Sequence, residues 1–101
     1  MKRGEVWWCE QPDDTHPALI ISRDDDIQRL FDVIAVPITG NIRGWDTEID
    51  LGPDDGMKGD CVLSLHNTFS PEKIYLTEYI TTLNSVRMSE VCRILARATN
   101  C

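Results

Sequence analysis

Short strand-forming segments, most of them closed by Gly, Pro or Asp, follow one another from Glu5 to Leu83, and a helical period appears only after them. Glu5-Val6-Trp7-Trp8-Cys9-Glu10 is rich in residues that favour a pleated backbone, and Gln11-Pro12-Asp13-Asp14 ends it as a turn. Ala18-Leu19-Ile20-Ile21-Ser22 is a continuous apolar run, suited to a strand buried on both faces, and Arg23-Asp24-Asp25-Asp26 follows as a solvated loop. Val33–Thr39 reads as a third strand, in which Pro37 implies a bulge or an unpaired edge position. Gly40–Gly44 is a flexible connection, Thr47–Leu51 alternates like a half-exposed strand, and Gly52–Gly56 is a turn. Cys61–Leu65 and Tyr79–Leu83 supply two more strands. Asn84 or Ser85 then caps a helix whose apolar stripe is Met88, Val91, Cys92 and Leu95. The pattern predicts one mostly-β (α+β) domain over residues 1–101, a barrel sealed by a C-terminal helix.

A core made by 101 residues is small, so association into a dimer would bury useful further surface. No apolar run is long enough to span a membrane or serve as a secretory signal, which leads to the expectation of a cytoplasmic protein with no membrane partner. The four cysteines, Cys9, Cys61, Cys92 and Cys101, lack CxxC spacing and nearby paired histidines. They read as three packed thiols and a loose terminal one, with no metal and no cofactor. Charge is uneven. Residues 1–60 carry 14 acidic and 6 basic side chains, residues 61–101 carry 3 and 4, and the net is −7. An acidic surface repels phosphate, which argues against a general nucleic-acid binder.

The order of segments resembles one family. Arg3-Gly4-Glu5-Val6-Trp7-Trp8 is similar to the opening of MazF/PemK-type toxins. His16-Pro17-Ala18-Leu19-Ile20-Ile21-Ser22 is similar to their Arg-Pro-Ala-Val-(apolar)-(apolar)-Ser block, with His in place of Arg. Val36-Pro37-Ile38-Thr39 matches their Val-Pro-(apolar)-Thr block, and Asp60-Cys61-Val62 with His66-Asn67 resembles the stretch Asp-Ser-Val followed by Asp-Gln or Asp-Asn. The resemblance implies an SH3-like barrel, shared with gyrase-poisoning toxins, and a symmetric homodimer. It also implies an mRNA interferase: a metal-independent endoribonuclease that cuts single-stranded RNA to 2′,3′-cyclic phosphate and 5′-hydroxyl ends. The usual partner is a cognate antitoxin whose acidic tail blocks the RNA groove.

Such chemistry requires a base for the 2′-OH proton, an acid for the departing 5′-oxygen, and a donor to the phosphorane. The family uses the Arg before Pro and the Thr of the Val-Pro-x-Thr block; only the latter is kept, as Thr39. His16 replaces the Arg. Imidazole is the better general base, whereas guanidinium is the better permanent cation with a bidentate grip on phosphate. His66 is a candidate second member of an acid–base pair, against the plainer reading of a strand-end His bonded to backbone. Asn67 could read a base edge. Arg23, Arg43 and Lys58 are candidate phosphate contacts, each set against ordinary solvated charge, and Trp45 is the candidate base-stacking residue. Trp7 and Trp8 point to opposite faces of their strand, one toward core. The acidic runs at Asp13-Asp14 and Asp24–Asp26 have no metal-ligand pattern and read as solvated loops that would repel an acidic tail. The alternative to the toxin enzyme is a family member with weakened catalysis that serves as a protein-binding module or regulator.

Overall fold

A computed structural model describes residues 1–101. Six antiparallel strands lie in the order β4-β5-β3-β2-β1-β6: β1 Glu5–Gln11, β2 Asp14–Ile20, β3 Ala35–Thr39, β4 Glu48–Leu51, β5 Cys61–Ser64 and β6 Leu76–Thr82. Two helices accompany them, α1 over Asp24–Arg29 and α2 over Ser85–Thr99. Pro12 and Asp13 form the tight turn of the β1–β2 hairpin, which sets Cys9 opposite His16 and Trp8 opposite Pro17.

The apolar run in β2 is buried on both faces, as its continuity predicts. Leu19 and Ile21 enter a larger core with Val6, Val36, Ile38 and Leu63. Ala18 and Ile20 enter a smaller one with Cys9, Ala35 and Ile27. Each fully buried Leu or Ile contributes about 2 kcal/mol, so this alternation fixes the register of the hairpin. The turn after β4 brings the two edges of the sheet together. Thr81 of β6 donates its hydroxyl to the Asp55 carbonyl at 3.2 Å. Gly56, at φ +88°, packs so closely on Thr81 that a Cβ would overlap the Thr81 side chain. The sheet thus wraps into a barrel-like form around the larger core, and α2 covers one end.

Asn84 caps α2 by accepting the Arg87 N–H at 2.8 Å. Val91 and Ile94 are the buried helix residues, flanked by Met88, Leu95 and Ala98. Cys92, read from the sequence as part of the stripe, is exposed instead; the stripe turns toward Ile94, and Arg3 donates to the Cys92 sulfur at 3.3 Å. Only Cys9 and Cys61 are shielded thiols, and burial raises the pKa of both.

Two further expectations change. Asp24–Arg29 is a short helix rather than a loop: three acidic residues occupy its first turn, where the helix dipole favours them, Arg29 lies in the last, and Ile27 is buried. Pro37 lies on an interior strand, not an edge. Ala35 exchanges both backbone hydrogen bonds with Phe69, so by alternation Pro37 turns its nitrogen to the same side, beyond the last β3–β5 pair, Ile38 with Leu63.

Candidate functional site

β1, β2 and the end of β3 form the floor of an open groove with two adjoining halves of about 620 and 640 Å³. Trp8, Pro17, Ile38, Thr39 and Gly40 line both halves, so Thr39 sits where they meet. His16, Arg43 and Asn67 line the first half; Lys58 lines the second, with Met57, Cys61 and Tyr79. Four of the eight residues singled out in the sequence for function therefore face one half of the groove, and Lys58 faces the other.

His16 is held at Nδ1. Nδ1 lies 2.9 Å from the Pro17 carbonyl, which can only accept, so Nδ1 carries a proton and donates it. The neutral ring then has its lone pair on Nε2, 3.5 Å from the Asp14 carboxylate, and the imidazole packs against Phe69 with centroids 5.6 Å apart. Asp14 and His16 are two apart on β2, so the strand places both on one face. Thr39 closes β3, and its hydroxyl accepts the Asn41 N–H at 3.1 Å. Its proton is left for another acceptor.

His66 does not line the groove. Its Nδ1 is 3.0 Å from the Thr47 hydroxyl, and its Nε2 is 3.3 Å from both Ser64 Oγ and Asn67 Nδ2. Trp45 leans on that ring at 4.9 Å, and the Arg43 guanidinium lies 5.1 Å over Trp45. The result is a cluster of Arg43, Trp45 and His66, of which only Arg43 lines the groove. Arg23 is elsewhere: it pairs with Asp26 at 3.1 Å at the start of α1, because the two lie one helical turn apart. Trp8 is the groove tryptophan, while Trp7 packs on the smaller core and meets Tyr79 edge-on at 6.1 Å.

Sequence reasoning missed Ser64 and Glu48. Ser64 is 1% exposed and joins His66 to Asn67. Glu48 reads as the polar position of an alternating strand, and nothing in its own segment signals what it holds. No group of three or more His, Cys, Asp or Glu is placed to hold a metal ion.

The family model described as PemK-like, MazF-like toxin of type II toxin–antitoxin system matches residues 2–99. The chain belongs to that family. Among curated relatives, probable endoribonuclease MazF5 of Mycobacterium tuberculosis is 34% identical, covering 98% of this chain and 93% of the relative. Probable endoribonuclease MazF2 of the same species is 30% identical over the full length of both. Among solved structures, an endoribonuclease in complex with its cognate antitoxin from a mycobacterial species superimposes with a TM-score of 0.88 at 27% identity, covering 99% of this chain and 95% of that one. The M. tuberculosis toxin MazF-mt6 shares the fold, with a TM-score of 0.88 at 24% identity over 95% and 96% of the two chains. His16 and Thr39, singled out by the sequence resemblance, face one groove.

Proposed function

We propose that this chain is the toxin of a type II toxin–antitoxin pair, an endoribonuclease that cleaves single-stranded RNA in the groove containing His16 and Thr39. The observation that carries the site assignment is that His16 and Thr39 line one groove, with His16 Nδ1 bonded to the Pro17 carbonyl and Nε2 left as the ring's position for proton transfer. In the reaction Nε2 takes the 2′-OH proton, and the 2′-oxygen attacks phosphorus. The bond to the 5′-oxygen breaks, leaving a 2′,3′-cyclic phosphate and, once that oxygen is protonated, a 5′-hydroxyl. Thr39 donates its hydroxyl to a nonbridging oxygen. Asp14 faces the imidazolium that forms.

His66 lies outside the groove lining with its ring nitrogens against Thr47, Ser64 and Asn67, so in this scheme the departing 5′-oxygen takes its proton from solvent. Trp45, about half exposed beside Arg43, offers a surface for a base, and Arg43 and Lys58 offer cations to phosphate. Asp14, Asp60 and Glu78 also line the groove, so its RNA grip rests on few charges. A second copy of the chain completes a two-fold dimer; the exposed Leu30, Phe31, Ile34 and Ile74 support it, on segments joined by the Phe31 carbonyl and the Lys73 N–H. No helix is long and apolar enough to cross a membrane, and we place the protein in the cytoplasm with its antitoxin and RNA.

Cleavage of a long single-stranded RNA in EDTA, with product ends mapped, tests the reading. His16→Ala is expected to lower kcat at least ~100-fold, the usual size of a general-base contribution. If His16→Arg cuts much faster than wild type, the imidazole is a weakened substitute; if neither wild type nor His16→Arg cuts RNA, the protein is a binding module.

A further inference from the structure

Glu48 opens β4 with its side chain 2% exposed, more enclosed than the 9% of Asp55. Its Oε1 accepts two successive backbone N–H groups, from Arg43 at 3.1 Å and Gly44 at 3.0 Å. Gly44 has φ +75°, and that left-handed turn lets neighbouring amides converge on one anion. The Glu48 N–H in turn donates to the Trp45 carbonyl at 3.1 Å, so residues 43–45 are clamped from both sides. Oε2 makes no hydrogen bond, and it lies 3.8 Å from Arg43 Nη1.

A buried carboxylate oxygen without a donor costs stability. A guanidinium that is attracted to it, yet not hydrogen-bonded by it, keeps its donors for another anion. The Arg43 side chain is 36% exposed and lies on the groove, resting on Trp45. Across the sheet Glu48 pairs with Ser64, the residue that joins His66 to Asn67. One buried carboxylate thus sits between the loop that carries Arg43 and the cluster of Ser64, His66 and Asn67.

We propose that Glu48 is a positioning residue: it clamps residues 43–45 and aims the free donors of Arg43 at a phosphate of RNA in the groove, acting only through that arginine. The proposal rests on the RNA reading above.

The test uses full-length Glu48→Gln, Glu48→Ala and Arg43→Ala. Gln retains a carbonyl oxygen for the two amides and removes the charge that steers the guanidinium. Glu48→Gln is expected to raise KM for single-stranded RNA about 5- to 20-fold with kcat within about twofold, since an interaction equal in ground and transition states appears in KM. A merely structural lesion would lower the active fraction, hence kcat, and leave KM unchanged. In an Arg43→Ala background Glu48→Gln should add less than about twofold to KM, as expected of two residues acting in series. Retention of the full factor there, or wild-type KM in Glu48→Gln, overturns the proposal. Amide exchange in the RNA-free protein reads the clamp separately: Glu48→Ala should speed exchange at Arg43 and Gly44 at least ~10-fold, by loss of their acceptor. Unchanged exchange in a folded Glu48→Ala sinks the clamp. If Glu48→Ala does not fold, the KM of Glu48→Gln decides. A wild-type protein that cuts no RNA sinks the RNA reading, and with it the aim of Arg43.

Discussion

The protein builds two arginine–carboxylate pairs to opposite specifications. Arg87 of α2 meets Asp55 through Nε at 3.0 Å and Nη2 at 3.2 Å, and Asp55 also accepts the Gly52 N–H at 3.0 Å. Arg87 Nη1 goes to Glu90 at 2.8 Å. Both carboxylate oxygens of Asp55 are used, and the pair joins the turn after β4 to the helix. Arg43 and Glu48, 3.8 Å apart with one oxygen unpartnered, form the loose counterpart on the groove. A two-point guanidinium–carboxylate contact fixes geometry and consumes donors, whereas a single longer contact fixes direction and leaves donors available. The closed pair ties the turn to the helix; the open pair leaves Arg43 donors free on the groove.

Several substitutions test that contrast. The largest expected effect comes from displacing the turn that presents Asp55. Gly56→Ala places a Cβ into Thr81 at a left-handed φ, and should lower unfolding free energy by about 3 kcal/mol in urea titrations. A loss below about 1 kcal/mol would mean that the turn moves freely and the closed pair is not rigid.

Asp55→Ala comes next, at about 2 kcal/mol, the scale of charge-assisted hydrogen bonds lost at a shielded site. The hydrogen bond from Arg87, helped by the Gly52 amide, holds the Asp55 carboxyl below its ordinary value, against the opposing effect of burial. A depressed folded pKa gives stability that is present above the unfolded value and is lost as pH falls through the folded one. Wild type should therefore lose more stability than Asp55→Ala on acidification below the ordinary carboxylate range. Parallel pH–stability curves would refute the assignment.

Glu48→Gln should change unfolding free energy by less than about 1 kcal/mol, because it removes a buried charge that lacks full compensation. Set beside Asp55→Ala, it should show a large KM effect with little stability effect. The smallest effect concerns salt. With Arg23 committed to α1, the groove offers Arg43 and Lys58, and at about −0.7 per phosphate the slope of log affinity against log salt should be near −1.4. A slope steeper than about −5 would reveal a basic surface outside the groove.

The strands were legible because each alternates or runs apolar between strong turn residues, and α2 because Asn84 and its stripe announce it. Helix α1 was not: its acidic run resembles a solvated loop until the burial of Ile27 gives it a reason to coil. His16 and Thr39 were visible through the blocks that contain them. What each faces was not visible, since the hairpin register and the β2–β3 pairing bring distant segments to one groove. Arg23 and Arg43 are indistinguishable as letters; one falls a helical turn from Asp26, the other on a loop held by Glu48.

Sequence by itself thus determined the family and the order of strands and closing helix along the chain, and it singled out His16 and Thr39, because these depend on local patterning and on side-chain chemistry. Tertiary structure alone decided which thiols are shielded, which tryptophan lines the groove, and that Glu48 is buried beneath Arg43. Those outcomes depend on strand pairing and on which polar atoms the packing leaves without partners, and neither is written in any short segment of the chain.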